Sequence, residues 1–138
     1  MRVIIDTNIL VSGLISEYGA PAKIVDAMLQ GQIIPVMSTV TFQELEDVLL
    51  RPQLQGYFER SGVSTHEFLV NLEKVAEFIQ PQPVNIFIRD EKDRPFIELA
   101  STLPQPEYII TGDKDFEHDR YSGVPVVSAS LFVQKVFG

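Results

Sequence analysis

Val3-Ile4-Ile5 is an apolar run that ends abruptly in a carboxylate, Asp6. Two small polar residues, Thr7 and Asn8, follow before Ile9, Leu10 and Val11 resume the apolar pattern. A short apolar run with a polar end reads as a buried strand, and the residues after it as a helix start. Such a segment carries an acid to the carboxyl end of a strand, the edge at which open α/β sheets bind ligands. The rest of the chain then bears on one question: whether more carboxylates reach that edge.

Apolar runs alternate with amphipathic stretches along the remaining sequence. A helix over 22–29 has Pro21 in its first turn and stops at Gly31. Ile33–Met37 reads as a strand that Pro35 makes less central. Ser38 and Thr39 are caps for a helix over 40–50, which stops before Pro52. Residues 51–65 are mixed and polar, and a helix over 66–78 ends at Pro81 and Pro83; together 51–80 is expected to form a helical arm. Val84–Ile88 reads as a short extended segment, and Arg89–Ala100 as an acidic turn entering a helix with Pro95 at its start. Glu107–Thr111 and Val124–Val127 are the last strands, with a tight turn over 112–115 between them and a closing helix over 129–137. Strands alternating with helices predict an α/β fold with a mostly parallel sheet of about five strands.

One domain spanning 1–138 suits this length. No apolar run reaches the ~18 residues of a membrane span, and no signal peptide is visible. The chain has no cysteine, which excludes disulfides and thiolate zinc sites and fits a cytoplasmic protein. A net charge of −8 counts against broad, charge-driven binding of nucleic acid. Chemistry on phosphates stays open, because clustered acids recruit divalent cations that reverse the local field.

Asp6 and Asp113 each follow an apolar strand and would emerge at one edge of a parallel sheet. Glu44 falls between Val40 and Val48 at helical spacing, facing the protein rather than water. Asp93 lies at the start of the helix that contains Pro95. Four carboxylates gathered this closely raise one another's pKa, and a divalent cation removes the conflict. Oxygen donors favour Mg²⁺ or Mn²⁺; zinc fits less well, with only His66 and His118 to offer nitrogen. Each acid also has a structural reading. Asp6 suits an N-cap, Glu44 a partner of an arginine, Asp93 a helix cap, and Asp113 a turn beside Gly112. Asp115 is a weaker ligand candidate, and Asp90, Glu91, Glu117 and Asp119 read as solvated charge.

Asp6-Thr-Asn8, Glu44 within Phe42–Leu45, Asp93-Arg-Pro-Phe-Ile97 and Thr111-Gly-Asp-Lys-Asp-Phe116 together resemble a PIN domain, in order and spacing from end to end. The chain is especially similar to the short, single-domain PIN proteins classed as toxins of toxin–antitoxin pairs. The resemblance implies a three-layer α/β/α sandwich and a metal-dependent ribonuclease. It assigns Asp6, Glu44, Asp93 and Asp113 to an Mg²⁺ or Mn²⁺ site, with Asp115 accessory and Asn8 and Thr111 orienting the acids or water. It also implies an RNA substrate, a homodimer and a cognate antitoxin, while the lack of a long apolar run predicts no membrane association. Cleavage would leave a 5′-phosphate and a 3′-hydroxyl.

The expected chemistry is phosphodiester hydrolysis by one or two cations, two such ions typically sitting about 4 Å apart. Arg89, Lys92, Arg94, Lys114 and Arg120 are candidates for phosphate contacts or for balancing nearby acids. Tyr57 and Phe58 suit base stacking or ordinary packing. A histidine-pair ribonuclease fits poorly, since His66 lies in the arm and His118 has no evident partner. An aspartyl-nucleophile phosphatase wants a second aspartate where Asn8 stands. Another metal-dependent phosphoesterase, or a catalytically silent binding protein of the same fold, are the remaining alternatives.

Overall fold

The computed structural model describes residues 1–112 and 120–138. In chain order the elements begin with β1 (Arg2–Ile5), α1 (Thr7–Ile15), α2 (Ala20–Leu29), β2 (Ile34–Met37) and α3 (Thr39–Leu49). Then come α4 (Pro52–Ser61), α5 (Thr65–Val75), β3 (Glu77–Phe78), a 3₁₀ turn (Glu91–Asp93) and α6 (Arg94–Ser101). The chain closes with β4 (Tyr108–Ile110), β5 (Arg120–Tyr121), β6 (Val124–Val127) and α7 (Ala129–Val136). The described strands form one six-stranded sheet in the order β3-β2-β1-β4-β6-β5. Neighbours are parallel except β5 and β6, which form a hairpin. Its turn is Ser122-Gly123, both at positive φ, the conformation that matches the twist of two hairpin strands.

The period of two along β1 sorts its side chains between two cores. Val3 and Ile5 join α1, α2, α5 and α7 through residues such as Leu10, Met28, Leu72 and Phe132. Ile4 faces the other way, onto Phe96, Ile97, Leu99 and Ala100 of α6. Helices therefore cover both faces of a mostly parallel sheet, and the architecture is α/β/α. Burying each large apolar side chain is worth roughly 1.5–3 kcal/mol, so both layers contribute to stability.

Local sequence sets the helix starts. Ser38 and Thr41 satisfy each other's backbone N–H groups in a reciprocal cap at the head of α3. Pro21, Pro52 and Pro95 each occupy the first turn of a helix, where the missing N–H has no cost.

Three details depart from the sequence expectation. Residues 52–61, read as mixed and polar, form α4, with Phe58 buried in the larger core. The helix expected to reach Phe78 ends at Val75, and Glu77–Phe78 becomes an edge strand on β2. Val84–Ile88 is not a strand. The Arg94 guanidinium donates to the carbonyl oxygens of Val84 and Ile86 at 2.9 and 3.0 Å, and Pro81 and Pro83 offer no N–H for a ladder. Among the described residues no helix is long and apolar enough to cross a membrane.

Candidate functional site

β1 and β4 run side by side, with Ile5 opposite Ile110. The next residue on each, Asp6 and Thr111, therefore leaves the sheet at the same edge. The Asp6 N–H donates to the Ile110 carbonyl at 2.9 Å, and the Thr111 N–H to the Val127 carbonyl at 3.0 Å. These bonds extend the ladder one residue and fix the backbone from which both side chains project. The Thr111 hydroxyl then donates to Asp6 Oδ2 at 2.8 Å, with both residues buried. Asp6 stands at the N-cap position of α1, yet its carboxylate makes no capping hydrogen bond. The purely structural reading of this acid is thereby weakened, because the carboxylate turns to Thr111 instead.

Glu44 approaches from α3, half-buried. Its Oε2 accepts a hydrogen bond from the Thr7 hydroxyl at 3.1 Å. Burial pushes the Glu44 carboxyl above its ordinary pKa, while the Thr7 hydrogen bond opposes that rise; the Asp6 charge adds to it and the charges of Lys92 and Arg51 reduce it. The carboxylates of Glu44 and Asp6 thus sense each other through space.

Asp93 closes the 3₁₀ turn at the head of α6 and is buried. Its side chain makes no capping bond for α6 either. The capping is done upstream by Asp90, whose carboxylate accepts from the Lys92 N–H at 3.0 Å. Asp6, Thr7, Asn8, Glu44, Arg51, Asp90, Lys92 and Asp93 line one cleft of about 360 Å³, floored in part by Val48 and Phe96.

Of the acids expected at the site, Asp6, Glu44 and Asp93 therefore share a cleft, with Asn8 exposed at its wall and Thr111 behind Asp6. Asp113 and Asp115 lie outside the described residues. Among the described residues, no three acidic or histidine side chains converge tightly enough to make a ligand set by themselves. The donors lining the cleft are oxygens, with no imidazole among them. That chemistry fits a hard divalent cation, which is commonly held by one or two carboxylates with water completing its shell.

Three cleft residues escaped the sequence reading. In the sequence Thr7 reads only as a small polar residue after Asp6, Arg51 only as the start of the mixed, polar stretch 51–65, and Asp90 as solvated charge. The only signal for Arg51 was its position before Pro52, which keeps the preceding residue extended and breaks the helix there.

The sequence pattern of the PIN domain matches residues 2–115. The chain is also similar to MJ1680 of Methanocaldococcus jannaschii, an uncharacterized protein, at 33% identity over 115 residues, covering 83% of this chain and 72% of that one.

Proposed function

The chain belongs to the PIN-domain family, and from that premise we propose that it is an endoribonuclease dependent on Mg²⁺ or Mn²⁺. PIN domains are nucleases in general, which supports phosphodiester hydrolysis as the reaction class. The observation that carries the finer reading is the delivery of Asp6 by β1 into one cleft with Glu44 and Asp93.

Asp6, Glu44, Asp93 and Asp113 would hold the cation. When bound, a divalent ion supplies polarisation of the phosphate and acidification of water. Thr111 restrains the rotation of Asp6, keeping one carboxylate oxygen tied back and the group aimed. Thr7 does the same for Glu44 and favours its charged form. Asp93, at the head of α6, sits where the helix N-terminus favours negative charge. Asn8 is an exposed amide on the same wall, placed to orient water or a phosphate oxygen.

By resemblance to the single-domain toxins, the proposal extends to a homodimer neutralised by a cognate antitoxin encoded beside it. A direct assay tests the nuclease. Purified protein is expected to cut RNA with Mg²⁺ or Mn²⁺, leaving 5′-phosphate ends, and to stop with EDTA. Asp6→Asn and Asp93→Asn should abolish cutting while circular dichroism stays unchanged. Cutting that survives EDTA, or full activity in both variants, would overturn the assignment. For the toxin extension, growth arrest relieved by co-expressing the neighbouring reading frame is the expected result.

A further inference from the structure

We propose that Arg51 and Lys92 form a two-cation clamp for the backbone phosphates of single-stranded RNA, on either side of the phosphate held in the acid cleft. The inference rests on the nuclease reading and adds to it the residues that would hold the substrate strand.

Both side chains line the cleft, and they reach it from different elements: Arg51 from the corner between α3 and α4, Lys92 from the 3₁₀ turn. Among the described residues neither is committed elsewhere. Arg2 is engaged with Glu77 and Arg94 with Glu91, whereas neither the Arg51 guanidinium nor the Lys92 ammonium donates a hydrogen bond or joins an ion pair among the described residues. Their charges act on Glu44, so they stand close to the acid set without being neutralised by a direct contact.

The backbones beneath them are pinned. The Arg51 carbonyl accepts from the N–H groups of Leu54 and Gln55, both at 3.0 Å, and Pro52 holds Arg51 extended. Lys92 is fixed by its N–H bond to Asp90. A charged head on a fixed base loses only side-chain freedom when it binds, which keeps the entropic cost small.

A path for the strand exists on the Arg51 side. Arg51, Val48 and Glu44 line the cleft and also a more open groove of about 660 Å³ along α3, with Thr39, Val40, Gln43 and Asp47. A strand whose reacting phosphate lies in the cleft would pass Arg51 as it enters that groove. A chain of net charge −8 repels a polyanion at long range, so affinity must come from local cations of this kind.

The test compares wild type with Arg51→Ala, Lys92→Ala and Arg51→Lys. For a short single-stranded RNA each alanine variant is expected to raise KM about tenfold with kcat nearly unchanged, the signature of lost uniform binding. The slope of log affinity against log salt should shrink by about 0.7 for each phosphate contact removed. Arg51→Lys should restore the salt slope and only part of the affinity, because a point charge replaces a fork. Loss on the RNA should exceed loss on bis(p-nitrophenyl) phosphate, which offers a single phosphate. Unchanged KM and salt slope would overturn the clamp; so would a fall in kcat with a shifted pH profile at constant KM, which would make Arg51 a positioning residue for Glu44. Equilibrium binding of the same RNA, read by fluorescence anisotropy in an Asp6→Asn background with or without Arg51→Ala, separates the two proposals. Binding lost with Arg51, when wild type with Mg²⁺ or Mn²⁺ never cuts, would leave the clamp standing and end the nuclease reading. Cutting by wild type with binding indifferent to Arg51 and Lys92 would end the clamp alone.

Discussion

At the scale of single residues, hydroxyls hold two of the cleft's carboxylates in place. Thr111 ties back Asp6 and Thr7 ties back Glu44, each through one hydrogen bond. Thr111→Val keeps the shape and removes the donor. Partners that orient metal ligands typically cost about 10–100-fold in metal affinity or activity when lost. Thr111→Val is therefore expected to weaken Mn²⁺ binding by about that factor, read by titration calorimetry, with the melting temperature little changed. Mn²⁺ affinity equal to wild type would show that Asp6 is aimed by other contacts. Asp6 and Asp93 were readable as candidates because one follows an apolar run and the other opens a helix, and Glu44 because it falls at helical spacing between Val40 and Val48. Thr7 was not, since nothing in Asp6-Thr-Asn8 says which neighbour the hydroxyl will meet; α3 has to fold against α1 before Glu44 comes within reach.

Among the elements, α1 and α2 set how closely the helices pack on one face of the sheet. Gly13 of α1 sits where an added Cβ would lie 2.5 Å from Val25 Cγ2 and 2.7 Å from the Pro21 carbonyl oxygen. The Pro21 oxygen belongs to backbone and cannot swing aside. Gly13→Ala is expected to destabilise the fold by about 1–3 kcal/mol, the usual cost of overpacking, despite the better helix propensity of alanine. Urea denaturation measures this; a stabilised variant would mean that α1 and α2 slide apart easily. Helix starts were readable from Ser38 and the prolines, because caps are local. The edge strand β3 and the absence of a strand at 84–88 were not. Which short segment pairs with β2 is decided by where α5 stops and by the grip of Arg94 on two carbonyls, and neither is a property of the segment itself.

Over the whole molecule, Arg2 links distant parts of the sheet. Its guanidinium forks onto Glu77 of β3 at 2.7 and 2.8 Å and donates to the Pro104 carbonyl, while its N–H donates to the Glu107 carboxylate. The arginine hydrogen bond draws the Glu77 carboxyl below its ordinary pKa of 4.5. A depressed carboxyl stabilises the fold above the unfolded pKa, and that share is lost as pH falls through the lower folded value. Solvent screening at this half-exposed pair limits its worth to about 1 kcal/mol or less. Glu77→Gln is thus expected to lower stability by up to about 1 kcal/mol at neutral pH, with wild type and variant converging as pH drops below 4.5. A gap that persists in acid would show that the pair is held by packing rather than charge. From the sequence alone came the α/β class, the one-edge delivery of Asp6 and the candidacy of Glu44 and Asp93, because apolar period and helix caps are written locally. The tertiary structure decided strand order, the hydroxyl partners of the acids and the place of Arg51 over the cleft. Those depend on contacts between residues tens of positions apart, and no local pattern encodes the direction in which a distant side chain will arrive.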